Sequence, residues 1–100
     1  MREVDIVISL NASLDSAEGL IEECCEAFGL RQTLKGTLAK YPNCVHWHYQ
    51  QGKQIGTLEI TLWHEQRRLW FKVSDGRQAT WIGDVVNPLG QAITRGLENQ

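Results

Sequence analysis

The chain has 100 residues, 42% hydrophobic and 22% charged, enough for one domain with a single modest core and too apolar for wholesale disorder. Its formal net charge of -2, with acidic and basic residues interspersed, argues against a broad nucleic-acid-binding surface. No apolar run approaches the ~20 residues that span a membrane.

The cysteines are Cys24, Cys25 and Cys44. An odd count with an adjacent pair makes a poor disulfide framework, and Met1–Asp5 is too acidic for a secretory leader. A cytoplasmic protein is expected.

Val4, Ile6, Ile8 and Leu10 alternate with Glu3, Asp5 and Ser9, which predicts a half-buried strand over residues 3–10. Asn11-Ala12-Ser13 offers a turn and an N-cap, with Asp15 and Glu18 complementing the dipole of the helix that follows. Leu14, Ala17, Ile21, Cys24 and Phe28 then recur at helical spacing, opposite Glu18, Glu22, Glu23 and Glu26. Gly29 suits the position after the C-cap, so a helix is predicted over 14–28. Cys24 and Cys25 read as small core hydrophobes rather than a redox pair.

From Leu30 the period becomes two. Leu30, Leu34 and Leu38 alternate with polar residues up to the turn Tyr41-Pro42-Asn43. Val45, Trp47 and Tyr49 alternate with Cys44, His46 and His48, and Leu58, Ile60 and Leu62 with Glu59, Thr61 and Trp63. Leu69, Phe71 and Val73 alternate with Trp70 and Lys72, and Asp75-Gly76 is a type I′ hairpin signal before a strand over about 77–82. Asn87-Pro88 reads as the start of a short C-terminal helix carrying Leu89, Ala92, Ile93 and Leu97.

The expected fold is a single α+β domain over 1–100, a two-layer sandwich. One mainly antiparallel sheet of about six strands, in the order β-α-β-β-β-β-β-α, carries both helices on one face. Two-residue loops at Pro42-Asn43, Gly52-Lys53, Gln66-Arg67 and Asp75-Gly76 make every register agree in parity. They pair Leu38 with Trp47 inside. Outside, Trp63, Trp70 and Trp81 form one row, and His46, Glu59 and Ser74 another.

Three tryptophans on the face opposite the core would leave an apolar patch of the size that marks interaction sites. The leading expectation is therefore a non-enzymatic interaction module, a homodimer or a protein's partner, that associates through Trp63, Trp70 and Trp81. The alternative is a ligand or metal site on the same face. Cys44-x-His46-x-His48 places a thiol and two imidazoles on one side of a strand, a spacing able to chelate zinc. Glu59, expected opposite His46, adds a carboxylate, and Lys72 completes a ligand set of His46, Glu59 and Lys72. A base-and-nucleophile role for His46, Glu59 and Cys44 lacks an oxyanion hole in the sequence. Arg31, Lys35, Arg67, Arg68, Lys72 and Arg77 offer a modest basic rim, too weak in this acidic chain to predict nucleic-acid binding.

Overall fold

The computed structural model of the protein describes residues 2–73 and 79–99. Its elements are β1 (Arg2–Ile6), α1 (Ala17–Ala27), β2 (Arg31–Gly36), β3 (Val45–Gln50), β4 (Leu58–Trp63), β5 (Arg68–Val73) and α2 (Thr80–Glu98), with a 3-10 turn over His64–Gln66. The strands form one five-stranded antiparallel sheet in the order β1-β5-β4-β3-β2. The two-layer α+β architecture is as expected, with five strands rather than six.

In α1, Ala17, Ile21 and Cys25 lie fully buried at intervals of four, so Cys25 rather than Cys24 forms the inner stripe. The helix begins later than the predicted residue 14, after a turn in which the Ser13 hydroxyl accepts the Asp15 amide at 3.2 Å. It ends as the apolar pattern does. Gly29 takes φ 76°, its amide donates to the Glu26 carbonyl and the Leu30 amide to that of Cys25, which together satisfy two end-of-helix acceptors.

The predicted strand over 77–82 is corrected by α2, which already runs at Thr80. Trp81, Val85, Leu89, Ile93 and Leu97 repeat every four residues, with Ile82, Val86 and Gly90 beside them, one buried stripe through the Asn87-Pro88 pair. A proline inside a helix removes one amide donor and normally costs about 3 kcal/mol. Here Asp84, Asn87 and Pro88 all face solvent, so water can take over the carbonyl that loses its partner. Ser74, the Asp75-Gly76 turn and residues 77–78 lie outside the described residues.

The main core fills the space between the helices and the inner sheet face, where Trp47, Leu58, Ile60, Leu62, Leu69 and Phe71 are almost fully buried. Two glycines let the layers approach. A Cβ on Gly90 would sit 2.9 Å from Ile6 Cδ1, and one on Gly96 2.8 Å from Leu20 Cδ2.

Two connections are longer or shorter than two-residue turns, and both displace the register by an even step. On β3–β4, Trp47 faces Ile60 and His48 faces Glu59; on β4–β5, Thr61 faces Trp70 and Glu59 faces Lys72. Even displacements keep every side chain on its expected face. The β2–β3 pair differs. A bulge between Gln32 and Leu34 inserts one residue and reverses the faces of those after it; together with the long 37–44 connection this puts Lys35, three positions from the expected Leu38, opposite Trp47, and β2 stops at Gly36. Lys35 thus reaches α1, 2.8 Å from Glu22 Oε2, the same carboxylate to which the Trp47 indole donates. Leu34 turns to the outer face and stays 44% exposed.

Candidate metal centre on the outer sheet face

The outer face is ordered in rows by the observed registers. Glu3, Lys72, Glu59, His48 and Leu34 lie across β1, β5, β4, β3 and β2, and the next row holds Asp5, Trp70, Thr61, His46 and Gly36. Residues 37–44, expected partly as strand, instead run as a loop that brings Tyr41 onto this face.

Tyr41 rests between two tryptophans, its ring centroid 5.0 Å from Trp63 and 5.0 Å from Trp70. The Trp63 indole donates to the Pro42 carbonyl at 3.1 Å. Arg68 lies over the Trp70 ring, 4.1 Å from its centroid, while bonding Asp5 and Glu3. Trp70 is left only 3% exposed. Trp81 is not on the sheet at all: it belongs to the helix-side core, 4% exposed, with its indole donating to the Ile55 carbonyl at 2.8 Å. The expected three-tryptophan row is therefore corrected to Trp63 and Trp70, held beneath the chain's own loop. Cross-strand parity correctly put two rings outward, but the strand assigned to the third is helix.

Beside this aromatic cover, three metal-binding side chains converge. His46 and His48 project from alternate positions of β3, and Glu59 projects from β4 opposite His48. His46 Nε2 lies 3.0 Å from His48 Nε2 and 3.5 Å from Glu59 Oε1, and His48 Nε2 is 3.7 Å from the same oxygen. Ligands about 2.1 Å from a tetrahedral zinc are separated by about 3.3 Å, so these spacings bracket the edge of such a site. The second ring nitrogen of His46 is also held, with Nδ1 2.8 Å from Thr61 Oγ1. When Nδ1 donates to that hydroxyl, Nε2 is left with a lone pair directed at the other two ligands.

Electrostatics favour the same state. Burial, then the neighbouring His48, holds the His46 imidazole below its ordinary pKa, with Lys72 adding to this and Glu59 opposing it. A neutral imidazole is the form that binds metal.

Cys44 is not part of the cluster, which among the described residues is His46, His48 and Glu59. The thiol is fully buried and accepts the Leu38 amide at 3.3 Å, so it stabilises the loop that carries Tyr41. That position corrects the Cys44 ligand expected from the spacing. Glu59 takes the third place, opposite His48 rather than His46. Thr61 was missed as a functional residue, although its outward parity was visible.

Two members of the cluster, His46 and Glu59, border a pocket of about 330 Å³ that His48 does not line; it is walled by Tyr41, Trp70, Leu38 and Ala39 and edged by Lys40, Lys72 and Glu3. His46, Glu59 and Lys72, the expected ligand set, all line it. A larger groove of about 480 Å³ between β1 and α2 has no histidine or cysteine in its lining. The basic rim is mostly engaged: Arg67 bonds the Ser9 and Ala12 carbonyls, Arg68 the β1 carboxylates, Lys35 the α1 carboxylates and Arg31 the Gln50 side chain. Arg77 lies outside the described residues. No described helix is long and apolar enough to cross a membrane. No protein-family model matches the chain, and comparison with curated proteins and with solved structures finds no match.

Proposed function

We propose that the protein binds one divalent transition metal of the zinc class through His46 Nε2, His48 Nε2 and Glu59 Oε1. Two imidazoles and a carboxylate form the borderline-soft donor set that zinc accepts, and three protein ligands leave a further coordination position for an exchangeable molecule. The observation that carries this reading is the convergence of three ligand atoms at 3.0–3.7 Å, with the other nitrogen of His46 fixed on Thr61.

Self-association through the tryptophan face is the reading set aside, since Trp81 belongs to the core and Tyr41 and Arg68 cover Trp70.

The test is a zinc titration of chelator-treated protein, followed by calorimetry and melting temperature. One ion per chain is expected, with at least a hundred-fold loss in affinity for the His46→Ala, His48→Ala double variant. At free zinc 100 times Kd, binding stabilises the fold by about 2.7 kcal/mol, a rise of roughly 10 °C or more for a domain of this size. No heat of binding and no shift in melting temperature would end the proposal.

A further inference from the structure

The pocket above the metal ligands has its own chemistry, and it is asymmetric. One side is apolar, with Tyr41, Trp70 and Leu38 against the opening. The other is cationic. Lys72 stands on β5 directly opposite Glu59, one strand from the cluster. Among the described residues its ammonium forms no ion pair. Lys40 enters the same pocket from the loop, 5.6 Å from the Tyr41 centroid. Glu3, the one acidic group of the rim, is already neutralised by Arg68 at 3.1 Å.

A divalent ion held by one carboxylate and two neutral imidazoles keeps one unit of positive charge. Lys72 and Lys40 add to it, so the open position faces a locally positive pocket that attracts an anion. No arginine is among the described lining residues, and Arg68 nearby is occupied by Asp5 and Glu3, so no free guanidinium fork faces the pocket. Nor does a helix N-terminus face the pocket, and these are the devices that bind phosphate dianions. A lysine ammonium is a point charge rather than a fork, so Lys72 beside a metal ion, with Lys40 at the edge, suits a carboxylate, and the Tyr41 ring suits an apolar body behind the charge. At about 330 Å³ the pocket is at the small end of small-molecule sites.

Resting on the metal reading above, we infer that the exchangeable ligand is a small carboxylate with an apolar or aromatic body. One carboxylate oxygen occupies the open metal position, the other meets the Lys72 ammonium, and the body lies against Tyr41.

Cobalt(II) makes the two readings separable, since its visible spectrum reports coordination directly. Cobalt is first titrated into chelator-treated protein; benzoate, inorganic phosphate and the neutral isostere benzamide are then added to the loaded form. Benzoate is expected to shift the cobalt bands saturably, with phosphate and benzamide each binding at least about tenfold more weakly. Lys72→Met removes a positive charge beside the cluster, so the variant should bind cobalt at least as tightly as the parent while losing benzoate about tenfold. Lys72 is exposed, so the variant is expected to fold. Absence of any cobalt spectrum overturns the metal centre and this inference with it. A normal cobalt spectrum that benzoate leaves unchanged overturns the inference alone. So does phosphate binding as tightly as benzoate, or a Lys72→Met variant that binds benzoate as the parent does.

Discussion

Replacing Tyr41 with alanine uncovers Trp70 without touching His46, His48 or Glu59, and its cost can be built from the structure. The Tyr41 ring meets Trp63 at an interplanar angle of 58° and Trp70 at 74°, both at 5.0 Å between centroids. Tilted and edge-on aromatic pairs of this kind contribute about 0.5–1.5 kcal/mol each beyond their buried area. Tyr41 is half-buried, so truncation also loses roughly half of a full aromatic burial, about 1 kcal/mol. The sum is about 2–4 kcal/mol, and partial collapse of the exposed loop brings the expected loss to about 2–3 kcal/mol. For a domain of this length that lowers the melting temperature by about 10–20 °C.

Urea unfolding followed by tryptophan fluorescence measures both consequences together. The midpoint should fall, and the emission of the folded variant should move to longer wavelength as water reaches Trp70, now only 3% exposed. Tyr41→Phe keeps both ring contacts and should stay within about 0.5 kcal/mol of the parent. A Tyr41→Ala protein with the parent's midpoint and emission maximum would show that the loop is not a cover, and the reasoning about the outer face would fail with it.

Two further outcomes follow from the buried groups. Thr61→Val is nearly isosteric but removes the hydroxyl that fixes His46 Nδ1. Zinc affinity by calorimetry is expected to fall about 10–100-fold, the usual effect of losing such a partner, and an unchanged Kd would refute Thr61's orienting role. Cys25 supplies a pH dependence with a definite sign. Burial pushes its thiol up to about 12, whereas an unfolded thiol titrates near 8.5. A raised acid stabilises the fold below the unfolded value, and this contribution is lost as pH rises from about 8.5 toward 12. Urea midpoints of the parent should therefore decline between about pH 8.5 and 10 more steeply than those of Cys25→Ala, whose tyrosines are the same. Parallel curves would contradict the assignment.

What the sequence made legible was parity. Both misjudged hairpins slipped by an even step, so His46, His48, Glu59, Thr61 and Lys72 stayed on the outer face although their partners changed. Ligand atoms that converge diagonally survive such a slip, which is why most of the candidate site could be named in advance. The bulge after Gln32 was invisible because one inserted residue leaves local alternation intact on either side and only reverses faces across it. Cys44 failed for a related reason: as the last residue before β3 it has the right parity, yet its backbone belongs to a turn, and its thiol serves the loop. Trp81 had two periods available. Its alternation toward Thr80 and Ile82 is short, while the four-residue spacing to Val85, Leu89 and Ile93 runs through a proline that reads as a helix start. Nothing in a sequence pattern tells where a loop will lie, so Tyr41 between two tryptophans could only be seen in three dimensions.

The strand order carries a consequence for how the molecule assembles. β3, β4 and β5 each pair with the strand made just before, whereas β1 joins only β5, with Ile6 on Leu69 and Arg2 on Val73. β1 must therefore wait for its partner until the whole meander up to β5 has been synthesised. During that wait Val4 and Ile6 have no partner strand, while the charged residues alternating with them, Glu3 and Asp5, discourage the waiting strand from pairing with another chain. Closing so long a loop is entropically slow, which makes docking of β1 the natural final event of folding. Arg68, bonded to both Glu3 and Asp5, then acts as the latch.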